Sequence, residues 1–322
     1  MSNSDGGTVS PESRRLISVV TPAYNEEGNV PELSSRLRRV FDANSAYDFE
    51  VIIVENGSVD ATWGQIQAEA ASDPRFKSLR LSRNFGADGG ITAGLSVAKG
   101  DAVVTMCADL QDPPEMISPF IAKWEEGYDI VYGVVKQRQG VSLLRRFNSQ
   151  AFYWLVNRMT DRSFPSNTGE FRLADRKVID TVLSMNERNR FIRGLFYWSG
   201  FKAVGLEHDR TPRFAGESKA NTAHVLSIAI RAILAYSTMP LRFITYVGLT
   251  VSLLSFVLLL WAVFGVVAFG APFHGYGTLL TVMLLMFGFL FTMLGVVAEY
   301  VGLIYEEVKQ RPNFVVRDKI GL

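Results

Sequence analysis

Between residues 16 and 209 the chain alternates between two hydrophobic patterns. Short, mostly apolar runs occupy residues 16–21 (stopped by Pro22), 49–54, 102–106 and 129–134, as expected of strands buried on both faces, and a further strand is predicted over 76–81. Between them apolar residues return every third or fourth position. Val30, Leu33, Leu37, Val40 and Phe41 predict an amphipathic helix over 30–41. Further helices are predicted over 60–71 with Asp60 as N-cap, over 88–98 closed by Gly100, and over 114–126 opened by the Pro113-Pro114 pair. The alternation predicts an α/β domain whose mostly parallel sheet is covered by helices on both faces.

The last third reads differently. Residues 243–269 and 278–298 hold no charged side chain, and each run exceeds the ~20 residues that span a bilayer as a helix. The connection over 270–277 is short and lacks Lys and Arg. Arg231 and Arg242 precede the first run, and Lys309, Arg311, Arg317 and Lys319 follow the second. The positive-inside rule therefore predicts a two-helix transmembrane hairpin with both ends and the N-terminal domain in the cytoplasm. No charged residue lies inside either run to mark an ion path, and Glu299 sits at the exit. Residues 224–239 are apolar on one side, which fits a helix in the membrane interface and equally a packing helix of the α/β domain. The predicted organisation is a disordered tail over 1–15, the α/β domain over 16–220, a juxtamembrane amphipathic helix over 221–240, two transmembrane helices over 241–305 and a cytoplasmic tail over 306–322.

Composition narrows the partners. A length of 322 residues allows two domains, and a net charge of +1 gives no basic field for a nucleic acid. The one cysteine, Cys107, excludes an internal disulfide and agrees with a reducing compartment; three scattered histidines do not make a zinc site. Residues 1–15 lack the apolar core of a signal peptide.

The most informative stretch follows the apolar run 102–106: Cys107-Ala108-Asp109-Leu110-Gln111-Asp112-Pro113-Pro114-Glu115. Carboxylate and amide oxygens at the C-terminal end of a strand form a hard-cation site, suited to Mg²⁺ or Mn²⁺ bridging a diphosphate. Asp and Pro after a strand are also ordinary turn chemistry. No G-x-G-x-x-G or G-x-x-x-x-G-K-[ST] occurs, so neither the usual dinucleotide fingerprint nor a P-loop is present.

Three other blocks fall at strand ends: Pro22-Ala23-Tyr24-Asn25-Glu26, Glu55-Asn56-Gly57-Ser58-Val59-Asp60 and Ser82-Arg83-Asn84-Phe85-Gly86. With Thr168-Gly169-Glu170-Phe171-Arg172-Leu173 and Arg213-Phe214-Ala215-Gly216-Glu217-Ser218-Lys219, this order resembles the family 2 glycosyltransferases. More narrowly it resembles the membrane-anchored polyprenyl-phosphate glycosyltransferases, which include dolichyl-phosphate mannose synthase and the undecaprenyl-phosphate glucosyltransferases. The resemblance covers nearly the whole chain. It implies a GT-A fold, a nucleotide-sugar donor, a polyprenyl phosphate acceptor, an inverting transfer, a place in the inner (cell) membrane and, as in some members, a homotetramer; Gly248, Gly288 and Gly295 would permit close helix approach.

Site residues follow from the same resemblance. Pro22, Tyr24, Glu26, Glu55 and Asn56 would line the nucleotide pocket, with Arg213 and Lys219 on the donor phosphates. Asp109 and Gln111 would hold the metal, Arg145 and Ser149 the acceptor phosphate, and Glu170 would orient a substrate or act as base. The bland readings are a plain Asn-Gly turn for the Glu55 block, a solvated helix face for Arg145, and for Glu170 a salt bridge to Arg172 or Arg190. The chain departs from the family pattern in having Glu55 and Asn56 where Asp is usual, and above all Cys107 in the first position of the usual Asp-Ala-Asp. A thiol is a soft ligand, poorly matched to Mg²⁺. Two readings stay open: an active enzyme with weaker metal affinity, and a degenerate membrane scaffold. Among donors the resemblance ranks UDP-glucose first, then UDP-galactose, UDP-N-acetylhexosamine and GDP-mannose. A processive polysaccharide synthase is disfavoured, since none of the five tryptophans follows an Arg as its Gln-x-x-Arg-Trp motif requires.

Overall fold

The computed structural model describes residues 14–136, 168–188, 190–210, 239–269 and 275–322. They fall into an α/β unit, to which residues 312–322 belong, and a helical unit. The α/β unit runs β1 (Leu16–Ala23), α1 (Val30–Ala43), β2 (Asp48–Glu55), α2 (Thr62–Ser72), β3 (Phe76–Leu81), α3 (Gly86–Leu95), β4 (Ala102–Thr105), a 3₁₀ turn (Pro114–Met116), α4 (Ile117–Glu125), β5 (Ile130–Val135), β6 (Thr168–Asp175), α5 (Arg176–Ser184), α6 (Ile192–Trp198) and β7 (Ala203–His208). The helical unit holds α7 (Met239–Phe269) and α8 (Tyr276–Val308); β8 (Val316–Ile320) then closes the chain.

All eight strands form one sheet in the order β7-β5-β6-β4-β1-β2-β3-β8. Strands β1 to β5 and β7 point one way; β6, antiparallel to β4 and β5, and β8, antiparallel to β3, oppose them. The sheet is mostly parallel, as the apolar runs predict, and GT-A-like, as the family resemblance implies. β1 and β4 are neighbours from which the chain winds in opposite directions, so the strand order reverses there and opens a crevice at their C-terminal ends.

One face packs Ile17, Val19, Val51, Val104 and Phe171 against α1 and α4, with Phe41 stacked on Phe49 at 4.4 Å and Phe120 tilted against Phe171 at 4.7 Å. Each such ring, fully buried, contributes about 1.5–3 kcal/mol. α3 covers the other face and lies hard on β1, because a Cβ at Gly94 would come within 2.3 Å of Val20 Cγ1.

Several boundaries shift. Asp60 precedes the N-cap Ala61, yet its carboxylate still accepts from Thr62 N at 3.1 Å, so the capping chemistry survives one residue upstream. The proline pair opens a 3₁₀ turn before α4, and α3 begins at Gly86. Arg15 is part of the domain, over Trp124 at 4.6 Å and paired with Glu125 at 2.9 Å. Residues 316–320, expected to be tail, pair with β3 in the register Ser78↔Ile320 and Arg80↔Asp318. That strand's charges hid it in the sequence, and they are what an exposed sheet edge tolerates.

Among the described residues one segment, Val282–Val308, is long and apolar enough to cross a membrane, and Phe243–Leu258 is a shorter apolar helix. Leu253, Leu285 and Phe291 are all exposed. The expected juxtamembrane helix, 221–240, lies outside the described residues up to 238.

Candidate active site

Because six strands share one direction, Pro22, Tyr24, Glu26, Glu55, Asn56, Asp109, Gln111 and the end of β7 arrive at one edge of the sheet. Two kinds of construction meet there.

On the β1–β2 side the polar side chains bind nearby backbone. Asn25, in the left-handed region at φ 56°, donates from its N–H to Ser58 Oγ at 3.0 Å and accepts from Val59 N at 3.0 Å. Glu26 N donates to Thr62 Oγ1 at 2.8 Å. Asn56 donates to Gly86 O at 2.8 Å and accepts from Phe85 N at 3.0 Å, so both ends of its amide hold the Arg83-Asn84-Phe85-Gly86 turn. Glu55 is fully buried, accepts from Ser58 N and pairs with Arg80 Nε at 3.2 Å. Gly57, at φ 74°, is obligatory: a Cβ there would sit 2.5 Å from Arg83 C. The Glu55 block therefore folds as a tight loop about Gly57, in which Glu55 and Asn56 are tied to neighbouring groups of the chain.

On the other side, β4 runs into the motif loop. Asp109 is 6% exposed and its Oδ1 accepts from Gln111 N at 3.2 Å. Leu110 holds φ 57°, a conformation costing a non-glycine residue roughly 1–2 kcal/mol. No group of three His, Cys, Asp or Glu side chains among the described residues could hold a metal. The donor set instead fits Mg²⁺ or Mn²⁺ held by Asp109 and Gln111 together with diphosphate oxygens, since such ions commonly use one or two carboxylates and substrate phosphates. Burial, then the charges of Asp109, Asp112 and Glu170, pushes the Cys107 thiol up, and a thiol is a soft donor poorly matched to a hard cation.

Because β6 is antiparallel to β4, in the register Thr105↔Arg172, its first residues reach this loop. Thr105 Oγ1 donates to Glu170 O at 2.5 Å. The Glu170 carboxylate takes Arg193 Nη2 at 2.6 Å on Oε1 and Arg172 Nη2 at 3.0 Å on Oε2. Arg172 is the expected partner; Arg193, rather than Arg190, is the second. Burial opposes ionisation of Glu170, but the two guanidinium groups overcome it and hold its pKa below the usual value. A carboxylate so paired is a weak base and a firm support. Asp88 of α3 joins the cluster, accepting from Ile192 N at 3.1 Å. Burial, then the charge of Glu170, pushes its pKa up to about 6. Arg172 is 1% exposed and stacks over Phe196 at 4.7 Å.

Residues 18–183, which span β1 to α5 and carry both sides of this edge, match the model of glycosyl transferase family 2. The chain belongs to that family. An uncharacterized glycosyltransferase of Synechocystis is 40% identical over 306 residues, covering 95% of this chain and 96% of the relative. The SfII prophage-derived bactoprenol glucosyl transferase of Shigella flexneri is 38% identical over 301 residues, covering 94% of this chain and 97% of that one. Among solved structures, glucosyl-3-phosphoglycerate synthase from Mycobacterium tuberculosis, in complex with Mn²⁺, UDP-glucose and phosphoglyceric acid, covers 68% of this chain and 78% of that chain at 18% identity and a TM-score of 0.47.

In this glycosyltransferase Arg145, Ser149, Arg213 and Lys219 lie outside the described residues. Asp88, Arg193, Asp112 and His208 were not singled out from sequence. Asp112 lay inside the motif stretch, and only its proximity to Asp109 could have drawn attention to it.

Proposed function

We propose that this protein transfers a hexose, glucose before the alternatives, from a UDP-sugar to the phosphate of a polyprenyl phosphate such as undecaprenyl phosphate, at the cytoplasmic face of the inner membrane and with inversion. The observation that carries the acceptor class is the likeness to a bactoprenol glucosyl transferase along 94% of the chain, membrane-type helix included. Topology supports the membrane arrangement. The chain leaves the sheet after β7 and re-enters the same sheet at β8, with both His208 and Val316 at the site edge. A sheet on one side of a bilayer requires an even number of crossings between those strands. With α8 as one crossing, α7 is taken as the return, in keeping with the hairpin that the flanking Lys and Arg residues predict.

The chemistry suits the residues. A phosphate monoester has a second pKa near 6, so the acceptor oxygen is already largely anionic at neutral pH. That oxygen attacks the anomeric carbon, the bond to the donor diphosphate breaks, and the nucleoside diphosphate leaves. No strong base is needed, in keeping with a Glu170 held ionised by two arginines. Asp109 and Gln111 face the diphosphate, Arg213 and Lys219 bind its oxygens, and Arg145 and Ser149 hold the acceptor phosphate. A bound Mg²⁺ or Mn²⁺ would neutralise the leaving diphosphate. The test is purified protein in detergent with undecaprenyl phosphate, either metal and a panel of UDP- and GDP-sugars, read by mass spectrometry of the lipid. One donor should yield a lipid-phosphate hexose; no product from any donor with folded protein would favour the scaffold reading that Cys107 raises.

A further inference from the structure

The motif loop is tied down by a contact between segments far apart in sequence. Asp112 and His208 are 3% and 4% exposed, and His208 Nε2 donates to Asp112 Oδ1 at 3.2 Å. Arg210 Nε lies 3.8 Å from the same oxygen. The imidazole fits a slot left by Gly133, where a Cβ would stand 2.8 Å from His208 Cε1, and its ring meets Phe171 edge-on at 5.8 Å. Among the described residues its Nδ1 has no hydrogen-bond partner, and the ring's one hydrogen bond there is to Asp112. The pair joins two functional segments: Asp112 follows Gln111 directly, and His208 ends β7, from which the chain runs through Arg210 to Arg213 and Lys219.

We propose that Asp112 and His208 are positioning residues for glycosyl transfer. Their buried hydrogen bond holds the loop that carries Asp109 and Gln111 against the end of β7. It thereby fixes where Asp109 and Gln111 stand at the sheet edge. The inference rests on the proposed function in taking a nucleotide diphosphate, with its metal, as the group that this loop holds. Neither residue touches a reacting atom. The strained Leu110 in the middle of the loop makes such a tether necessary, because a loop freed at Asp112 would relax away from its left-handed turn.

The test is calorimetric titration of the detergent-purified full chain with UDP, and separately GDP, in the presence of Mn²⁺, alongside donor KM and kcat. His208→Ala and Asp112→Ala should each weaken nucleotide binding with Mn²⁺ and raise donor KM about tenfold, while kcat changes about threefold or less, in line with supports that orient metal-binding groups. The double variant should be no worse than either single one, since both remove one contact. Asp112→Asn, which still accepts from Nε2–H, and His208→Gln, which still donates, should recover most of the binding. If His208→Ala does not fold, Asp112→Asn against Asp112→Ser carries the comparison, because serine is too short to reach the ring. Alanine variants that fold and bind with wild-type affinity would overturn the inference and leave the proposed function standing. Wild-type protein that binds neither nucleotide with Mn²⁺ would overturn both.

Discussion

The two sides of the sheet edge are built by different means. On the β1–β2 side, Asn25, Ser58, Thr62 and Asn56 exchange hydrogen bonds with backbone some thirty residues away, and the result is a largely neutral, rigid frame. On the β4–β6–β7 side, charges meet across the fold: Glu170 with Arg172 and Arg193, Asp112 with His208. The first construction loses a hydrogen bond when a residue is changed. The second leaves an uncompensated buried charge, which costs more and acts at once on the reacting groups.

Four substitutions sharpen that contrast. Asp109→Ala removes the carboxylate proposed to face the diphosphate and should lower the transfer rate on the order of 10³-fold, as loss of a major electrostatic element does; initial rates at saturating donor measure it, and near-native turnover would refute the metal assignment. Glu170→Gln leaves two guanidinium groups facing a neutral amide. It should lower kcat about 10²-fold through misplacement of the site, with little change in donor KM. A pH–rate profile separates support from base: a base would leave the variant with no acidic limb, whereas a support leaves the profile's shape unchanged.

The remaining two concern stability. Asn56→Ala should cost about 1–3 kcal/mol by orphaning Phe85 N and Gly86 O, read as a lower melting temperature with kcat nearly kept. Asp88→Asn should do the opposite. The native pKa of Asp88 is raised to about 6 from an ordinary 3.8, so between those values the folded state binds more protons than the unfolded one. Stability therefore falls as pH rises through that window, and the ionised carboxylate costs at most about 3 kcal/mol above it. Asparagine keeps an oxygen for Ile192 N and escapes that cost. The variant should melt higher than wild type at pH 7 and alike at pH 4; equal melting at both would sink the account.

The strands and helices from 16 to 134 were legible because most of the strands are predominantly apolar and several helices repeat apolar residues at their own period. β6 was not, since Glu170 and Arg172 interrupt its apolar residues with charges that only pairing makes tolerable. β8 escaped for the related reason that an edge strand wants charge. The site divided along the same line. Asp109 and Gln111 stood out as a local motif, and Glu170 stood out through the family pattern, but Arg193 and His208 lie in segments with no motif of their own.

What the sequence by itself determined is therefore whatever rests on neighbours in the chain: the alternation of strands and helices, the apolar helices with their flanking cations, the turn at Asn56-Gly57 and the oxygens of Asp109 and Gln111. The tertiary structure alone decided which charges meet. It gave Glu170 two arginines, turned Asn56 inward as a brace, returned residues 316–320 to the sheet and seated His208 on Asp112. The physical reason is range. Periodicity and turn chemistry act over a few residues, whereas a buried charge is made stable by whichever distant group the folded sheet brings within about 3 Å of it.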